Sequence, residues 1–171
     1  MRIKTERLTL EPISLHYLQS IHAYSSDPEN TQYMVYLPRD SIEESRAFIT
    51  RSMEEWAKEH PACYEFVVLR GERHVGGASM YILEDGSVEL AWILDKRFRG
   101  HGYAAEAARA LMAWCRDSLG VRRFIAMCDS ENVASWRLME RLGMRRISLC
   151  GGRKNRSSDE ERQEVIYEIY V

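Results

Sequence analysis

Apolar and polar residues recur along this chain with two different periods, and the changes between them mark out its elements. Leu8-Thr9-Leu10-Glu11-Pro12 alternates as a half-buried strand does. His16 to Ser25 has helical spacing and is predicted to stop near Asp27-Pro28, because proline disfavours helix in the residue before it. A longer helix opens at Ser41, which with Glu44 three residues on fits a capping box, and Ala47, Phe48, Met53 and Trp56 form its apolar stripe. It is expected to end before Pro61.

Three strand signals follow closely: Glu65 to Leu69, Val75 to Leu83 and Val88 to Leu94. The connections Arg70-Gly71-Glu72-Arg73 and Glu84-Asp85-Gly86-Ser87 are short, so neighbouring strands run antiparallel as a meander. The period then lengthens. Tyr103 to Leu119 reads as a helix with Ala108, Leu111, Met112, Cys115 and Leu119 on one face. Arg123 to Cys128 is a strand, Asn132 to Leu142 a helix stopped by Gly143, and Arg145 to Leu149 a strand. Polar Gly151 to Arg162 is predicted to be a mobile loop, and Val165 to Val171 closes the chain as a strand. A strand-helix-strand crossover makes parallel neighbours. The expected fold is therefore α/β in the α+β sense: one domain over residues 1–171, with a mixed, mostly antiparallel central sheet of about six to seven strands and about four flanking helices.

Bulk properties narrow the chemistry. The 171 residues are 45% hydrophobic and 29% charged, ordinary for one globular domain. A formal net charge of -2 gives no reason to expect nucleic acid as a partner. No apolar run approaches the roughly 18 residues of a membrane span, and the N-terminus has no signal-peptide core. Cys63, Cys115, Cys128 and Cys150 are scattered, with no metal-ligand spacing, and fit reduced thiols in or near a core. A cytoplasmic protein without a metal is expected.

The most informative stretch is Arg97-Phe98-Arg99-Gly100-His101-Gly102-Tyr103-Ala104-Ala105-Glu106, which follows a strand and opens a helix. Two glycines allow a close backbone approach, the first-turn amides and helix dipole suit a diphosphate, and Arg97 and Arg99 add cationic donors. No Gly-Lys-Ser/Thr ends the loop, so it is not a triphosphate P-loop. Gly100-x-Gly102-x-x-Ala105 also fits a loose dinucleotide fingerprint, with Asp129 ending the next strand. Against that stand the polar residues Asp95 to Arg99 between strand and glycines, and the meander before them.

Arg97-x-x-Gly100-x-Gly102 resembles the Gln/Arg-x-x-Gly-x-Gly/Ala motif of the GCN5-related N-acetyltransferase (GNAT) superfamily. Gly100 to Glu106, the opening Thr5-Glu6-Arg7-Leu8-Thr9-Leu10, and Asn132-Val133-Ala134-Ser135 followed by Leu142-Gly143-Met144 resemble its branch of ribosomal-protein alanine and serine N-acetyltransferases. The resemblance implies acetyl-CoA as cosubstrate and a primary amine, small molecule or protein N-terminus, as acceptor. It implies that the amides of Arg99, Gly100, His101, Gly102, Tyr103 and Ala104 hold the diphosphate, and that main-chain groups of Ile93 and Leu94 run beside the pantetheine arm. It also implies that Asn132 contacts the pantetheine amide, although asparagine there is equally a good N-cap.

Acetyl transfer needs a neutral amine, hence a base. Glu89, in the strand leading to the loop, is the base candidate; a solvent-facing strand carboxylate is the plainer alternative. Many family members carry a tyrosine acid at the position of Met139, which cannot donate a proton. Ser135 matches a serine that hydrogen-bonds the coenzyme sulfur in the ribosomal-protein branch; a helix serine satisfied by its own backbone is its alternative. Tyr33, Tyr36, Tyr64 and Tyr81 are candidates to line the acceptor pocket or simply to pack. A noncatalytic acetyl-CoA sensor on the same fold is the second functional reading. Monomer and homodimer both remain open.

Overall fold

The computed structural model describes residues 1–171. One eight-stranded sheet forms its centre, in the order β1-β2-β3-β4-β5-β6-β8-β7. The strands are β1 (Ile3–Lys4), β2 (Thr9–Pro12), β3 (Cys63–Arg70), β4 (Arg73–Ile82), β5 (Val88–Leu94), β6 (Arg123–Asp129), β7 (Arg145–Lys154) and β8 (Glu161–Tyr170). The helices are α1 (Leu18–Ser25), α2 (Pro28–Thr31), α3 (Ile42–Trp56), α4 (Tyr103–Leu119) and α5 (Val133–Arg141), with short 3-10 turns at Leu15–Tyr17 and Lys96–Phe98. The expected class and mostly antiparallel pairing are found, with one strand and one helix more than anticipated.

Local chemistry explains the elements. Ser41 caps α3 by accepting the Glu44 N–H, while the Glu44 carboxylate accepts the Asp40 N–H. Asp27-Pro28 does more than stop α1. Asp27 accepts the N–H groups of Glu29 and Asn30, and Pro28 occupies the first turn, so the pair also starts α2. Gly102 and Gly120, at φ +79° and +70°, bracket α4 in the left-handed region where only glycine is at ease.

Side-chain alternation gives the sheet two lined faces. Phe66, Val68, Ala78, Met80, Val88, Leu90, Phe124 and Ala126 pack beneath α4 and α5 in the main core. Val67, Leu69 and Ile93 face the other way, toward a smaller core with Ile21, Tyr24 and Ile49 of α1 and α3.

Half of the polar stretch from Gly151 to Arg162 is strand rather than loop. Its two ends complete the arms of the β7–β8 hairpin, with residues 155 to 160 between them. The arms read as loop because β7 is an edge strand exposed on both faces, so no apolar alternation is required of it. Ion pairs tie the hairpin down: Arg153 to Glu164, and Arg162 to the fully buried Asp129 at 3.1 Å. Its tip reaches the segment after α2, where Arg156 N–H donates to the Met34 carbonyl and its guanidinium pairs with Asp40 and Glu44.

Candidate active site

The site begins where the sheet opens. β5 and β6 run parallel but pair only at Val88↔Phe124 and Glu89↔Ile125. Beyond that the strands part, leaving a wedge between the second half of β5 and the end of β6. The β4–β5 ladder shows which backbone groups face it. Leu83 N–H donates to Ser87 O at 2.9 Å at one end and Asp95 N–H to Val75 O at 3.0 Å at the other. Alternation between these fixed pairs gives the odd residues of β5, including Ile93 opposite Gly77, to β4. The N–H and C=O groups of Trp92 and Leu94 therefore point into the wedge. Of the two residues singled out by sequence, Leu94 faces it; Ile93 is turned away, and Trp92 is the residue overlooked. The β4 register would have disclosed this.

Immediately after β5, Asp95 caps the 3-10 turn by accepting the Arg97 N–H. The chain then passes through Gly100 and Gly102, both left-handed at φ +82° and +79°. The N–H groups of Gly100, His101, Gly102, Tyr103, Ala104 and Ala105 find no partner within the protein. Arg99 N–H alone is engaged, weakly, with the Lys96 carbonyl at 3.4 Å. A Cβ at Gly100 would meet nothing within 4 Å. Six free amides at the positive end of a 17-residue helix make a cradle for an anion of several oxygens.

The two arginines of the loop are occupied. Arg97 chelates Asp95, Nη2 to Oδ2 at 2.6 Å, and this pairing holds the aspartate below its usual range. Arg99 Nη2 donates to the Asn30 main-chain and side-chain oxygens at 3.0 and 3.1 Å. Asn30 also accepts the Lys96 N–H, so α2, the helix missed by sequence, fixes the loop from below. Behind α4, Arg7 holds Glu106 at 2.6 Å and the His101 carbonyl at 3.1 Å, so Glu106 ties the N-terminal segment to the first turn of α4. His101 is exposed, stacked on the buried Tyr103.

Glu89 is half-buried on the face opposite α4, level with Tyr81 on β4. Burial, and secondarily the nearby Glu164, raise its pKa above the ordinary glutamate value; no protein group donates to it. On the other side of the sheet, Ser135 lies in the first turn of α5 beside the Cys128 thiol, which burial pushes up to about 11. Asn132 is the N-cap, its Oδ1 accepting the Ser135 N–H at 3.2 Å. Met139 is 1% exposed in the main core. Among the tyrosines, Tyr81 donates to Glu65 at 2.7 Å on the Glu89 face, Tyr64 packs with Trp56 and Trp114, and Tyr36 is exposed. Cys115 and Cys128 are buried and Cys63 partly so, but Cys150 lies exposed on β7. No helix is long and apolar enough to cross a membrane.

Comparison with known proteins identifies the family. Residues 7–145 match the acetyltransferase (GNAT) domain family. The N-acetyltransferase YnaD of Bacillus subtilis is 30% identical over 150 residues, covering 85% of this chain and 84% of its own. The crystal structure of a GNAT-family acetyltransferase from Bacillus anthracis superposes with a TM-score of 0.85 at 26% identity, covering 99% of this chain and 98% of that one. The ribosomal L7/L12 α-N-protein acetyltransferase RimL, solved with coenzyme A, shares the fold with a TM-score of 0.88 at 17% identity, covering 100% and 98%. With a split sheet leading into a glycine cradle across the matched residues, this chain belongs to the GNAT family and is an acetyl-CoA-dependent acyltransferase.

Proposed function

We propose that the protein moves the acetyl group of acetyl-CoA onto a primary amine, a small molecule or a protein N-terminus, by direct attack within a ternary complex. The six unpartnered amides from Gly100 to Ala105, at the mouth of the β5–β6 wedge, carry this reading. Acetyl-CoA supplies the diphosphate that such amides suit and an activated thioester. With Arg97 and Arg99 engaged elsewhere, the main chain and the α4 dipole do most of the diphosphate binding. The N–H and C=O groups of Trp92 and Leu94 bind the pantetheine arm as a further strand would. The free Asn132 amide nitrogen completes this contact, its oxygen being used as the cap.

An amine of pKa about 8 to 10 is mostly protonated at neutral pH. Glu89 takes that proton, directly or through water, and its raised pKa brings it nearer to the task. A main-chain N–H in the wedge donates to the carbonyl oxygen as charge develops there. The Ser135 hydroxyl donates a hydrogen bond to the leaving thiolate; Met139 offers no proton.

Thiol release from acetyl-CoA across a panel of amines tests the proposal. Amine-dependent release is expected. Coenzyme binding with no release for any amine would replace the transferase with an acetyl-CoA sensor.

A further inference from the structure

On the sheet face that carries Glu89, nearly every charged group is already matched. Glu65 accepts the hydroxyls of Ser79 and Tyr81 and the Cys63 thiol. Glu164 is paired with Arg153, whose remaining N–H groups go to the Asn155 side chain and the Tyr33 carbonyl. Asp129 is held by Arg162, Asn155 and the Glu131 N–H. The face is rich in carboxylates, yet only Glu89 among these is left to meet a substrate.

Its one unmatched cation is Arg39, on the segment between α2 and α3. The guanidinium lies over the Phe48 ring at 3.9 Å and feels Tyr24, Glu65 and Glu44 through space without bonding any of them. Burial lowers its pKa from the arginine value, so its solvation is already partly stripped. Beside it is a second unused group. Tyr24 is 8% exposed, and its hydroxyl has no hydrogen-bond partner within the protein. That hydroxyl sits above Gly77, 3.4 Å from where a Cβ would lie, so the missing side chain on β4 makes room for it.

The Tyr24 hydroxyl stands over the Val67–Gly77–Ile93 row of β3, β4 and β5, two rows along the same face from the Cys63–Tyr81–Glu89 row. Gly77, beneath that hydroxyl, is one strand and four residues from Glu89, about 14 Å between Cα positions by strand spacing and rise. A planar fork of N–H donors with a hydroxyl beside it matches an oxyanion. We infer that the acceptor is an amine that also carries an oxyanion, a carboxylate or phosphate held by Arg39 and Tyr24, with its amine several bonds away at Glu89. This rests on the acetyltransferase reading and names the acceptor class for the same site. It disfavours polyamines, which would leave Arg39 facing a cation.

The test compares ω-amino carboxylates of increasing length, ω-amino phosphate esters and alkylamines of matched length. Thiol release gives kcat/KM, and calorimetry on the coenzyme A complex gives Kd without turnover. Anionic amines should bind and react better than neutral ones by about tenfold or more. That ratio should collapse in Arg39→Gln and shrink in Tyr24→Phe, which keeps the ring and its packing. The carboxylate and phosphate arms decide between the two sources. Equal affinity for neutral and anionic amines, or an unchanged ratio in correctly folded Tyr24→Phe and Arg39→Gln, would overturn the inference while leaving acetyl transfer intact. Absence of any turnover would count against the transferase itself; the calorimetric preference would still decide the oxyanion site.

Discussion

Gly100 and Gly86 form a controlled pair. Both have left-handed backbones, at φ +82° and +78°, and a Cβ built on either meets nothing within 4 Å. Alanine at each should therefore cost the fold the same amount. Left-handed backbone costs a residue with a Cβ about 1–2 kcal/mol, offset by about 0.4–1 kcal/mol from the stiffer unfolded chain. The net loss is roughly 1 kcal/mol, a fall in Tm of about 2–4 °C for a chain of this length. The difference lies in what approaches. Gly86 sits in the turn between β4 and β5, far along the chain from the cradle, whereas Gly100 opens the run of six free amides. Displacing one or two of those N–H donors from a charged diphosphate removes about 1.5–3 kcal/mol apiece, or about tenfold or more in Kd for coenzyme A. Thermal melts and coenzyme titration calorimetry on Gly100→Ala and Gly86→Ala check both halves. If Gly100→Ala bound coenzyme A as the parent does, or Gly86→Ala lost affinity equally, the cradle would not be the diphosphate site.

Glu89→Gln should lower kcat by about 10²–10⁴ while leaving coenzyme Kd in place. Because the base works ionised and its pKa is raised, the parent's rate should fall with acid at a pH above the ordinary glutamate range; the variant should lack that limb. A raised folded-state pKa also means that the ionised carboxylate opposes folding once pH exceeds the unfolded value of about 4.3. Glu89→Gln should accordingly melt higher than the parent at neutral pH and not in acid. Asp129 has the opposite sign: burial alone would raise its pKa, but the Glu131 N–H, Asn155 and Arg162 together hold it down. Its contribution is present above an unfolded value of about 3.9 and lost as pH falls through the lower folded one. Asp129→Ala should cost about 3 kcal/mol or more at neutral pH, strand Arg162, and loosen the β7–β8 hairpin; calorimetric Tm across pH checks it.

Strong local signals were legible in the chain. The capping box at Ser41, the short turns of the meander and the two glycines before Tyr103 each act within a few residues, and each is found. What escaped depends on neighbours distant in sequence. The hairpin arms after Gly151 are held by Arg153–Glu164 and Arg162–Asp129, and polar pairs across strands leave no apolar period to read. Asp27-Pro28 looks the same whether it ends one helix or starts the next. The facing of Ile93 and Trp92 follows from the partner strand, not from either side chain. Arg39 and Tyr24 acquire meaning only after the face they cover has been assembled, when the other charges there, Glu89 apart, can be seen to have partners.

The parting of β5 from β6 has a consequence for the whole fold. A sheet with two ladder rungs at its middle is two half-sheets joined by a short seam, so its centre is weaker than the β4–β5 ladder beside it. A ligand that fills the seam adds its binding energy to folding, about 2.7 kcal/mol at a hundredfold excess over Kd. Amide exchange at Trp92 and Leu94 should slow when coenzyme A is bound. The same closure favours an order of events in which the coenzyme mends the sheet before the acceptor arrives.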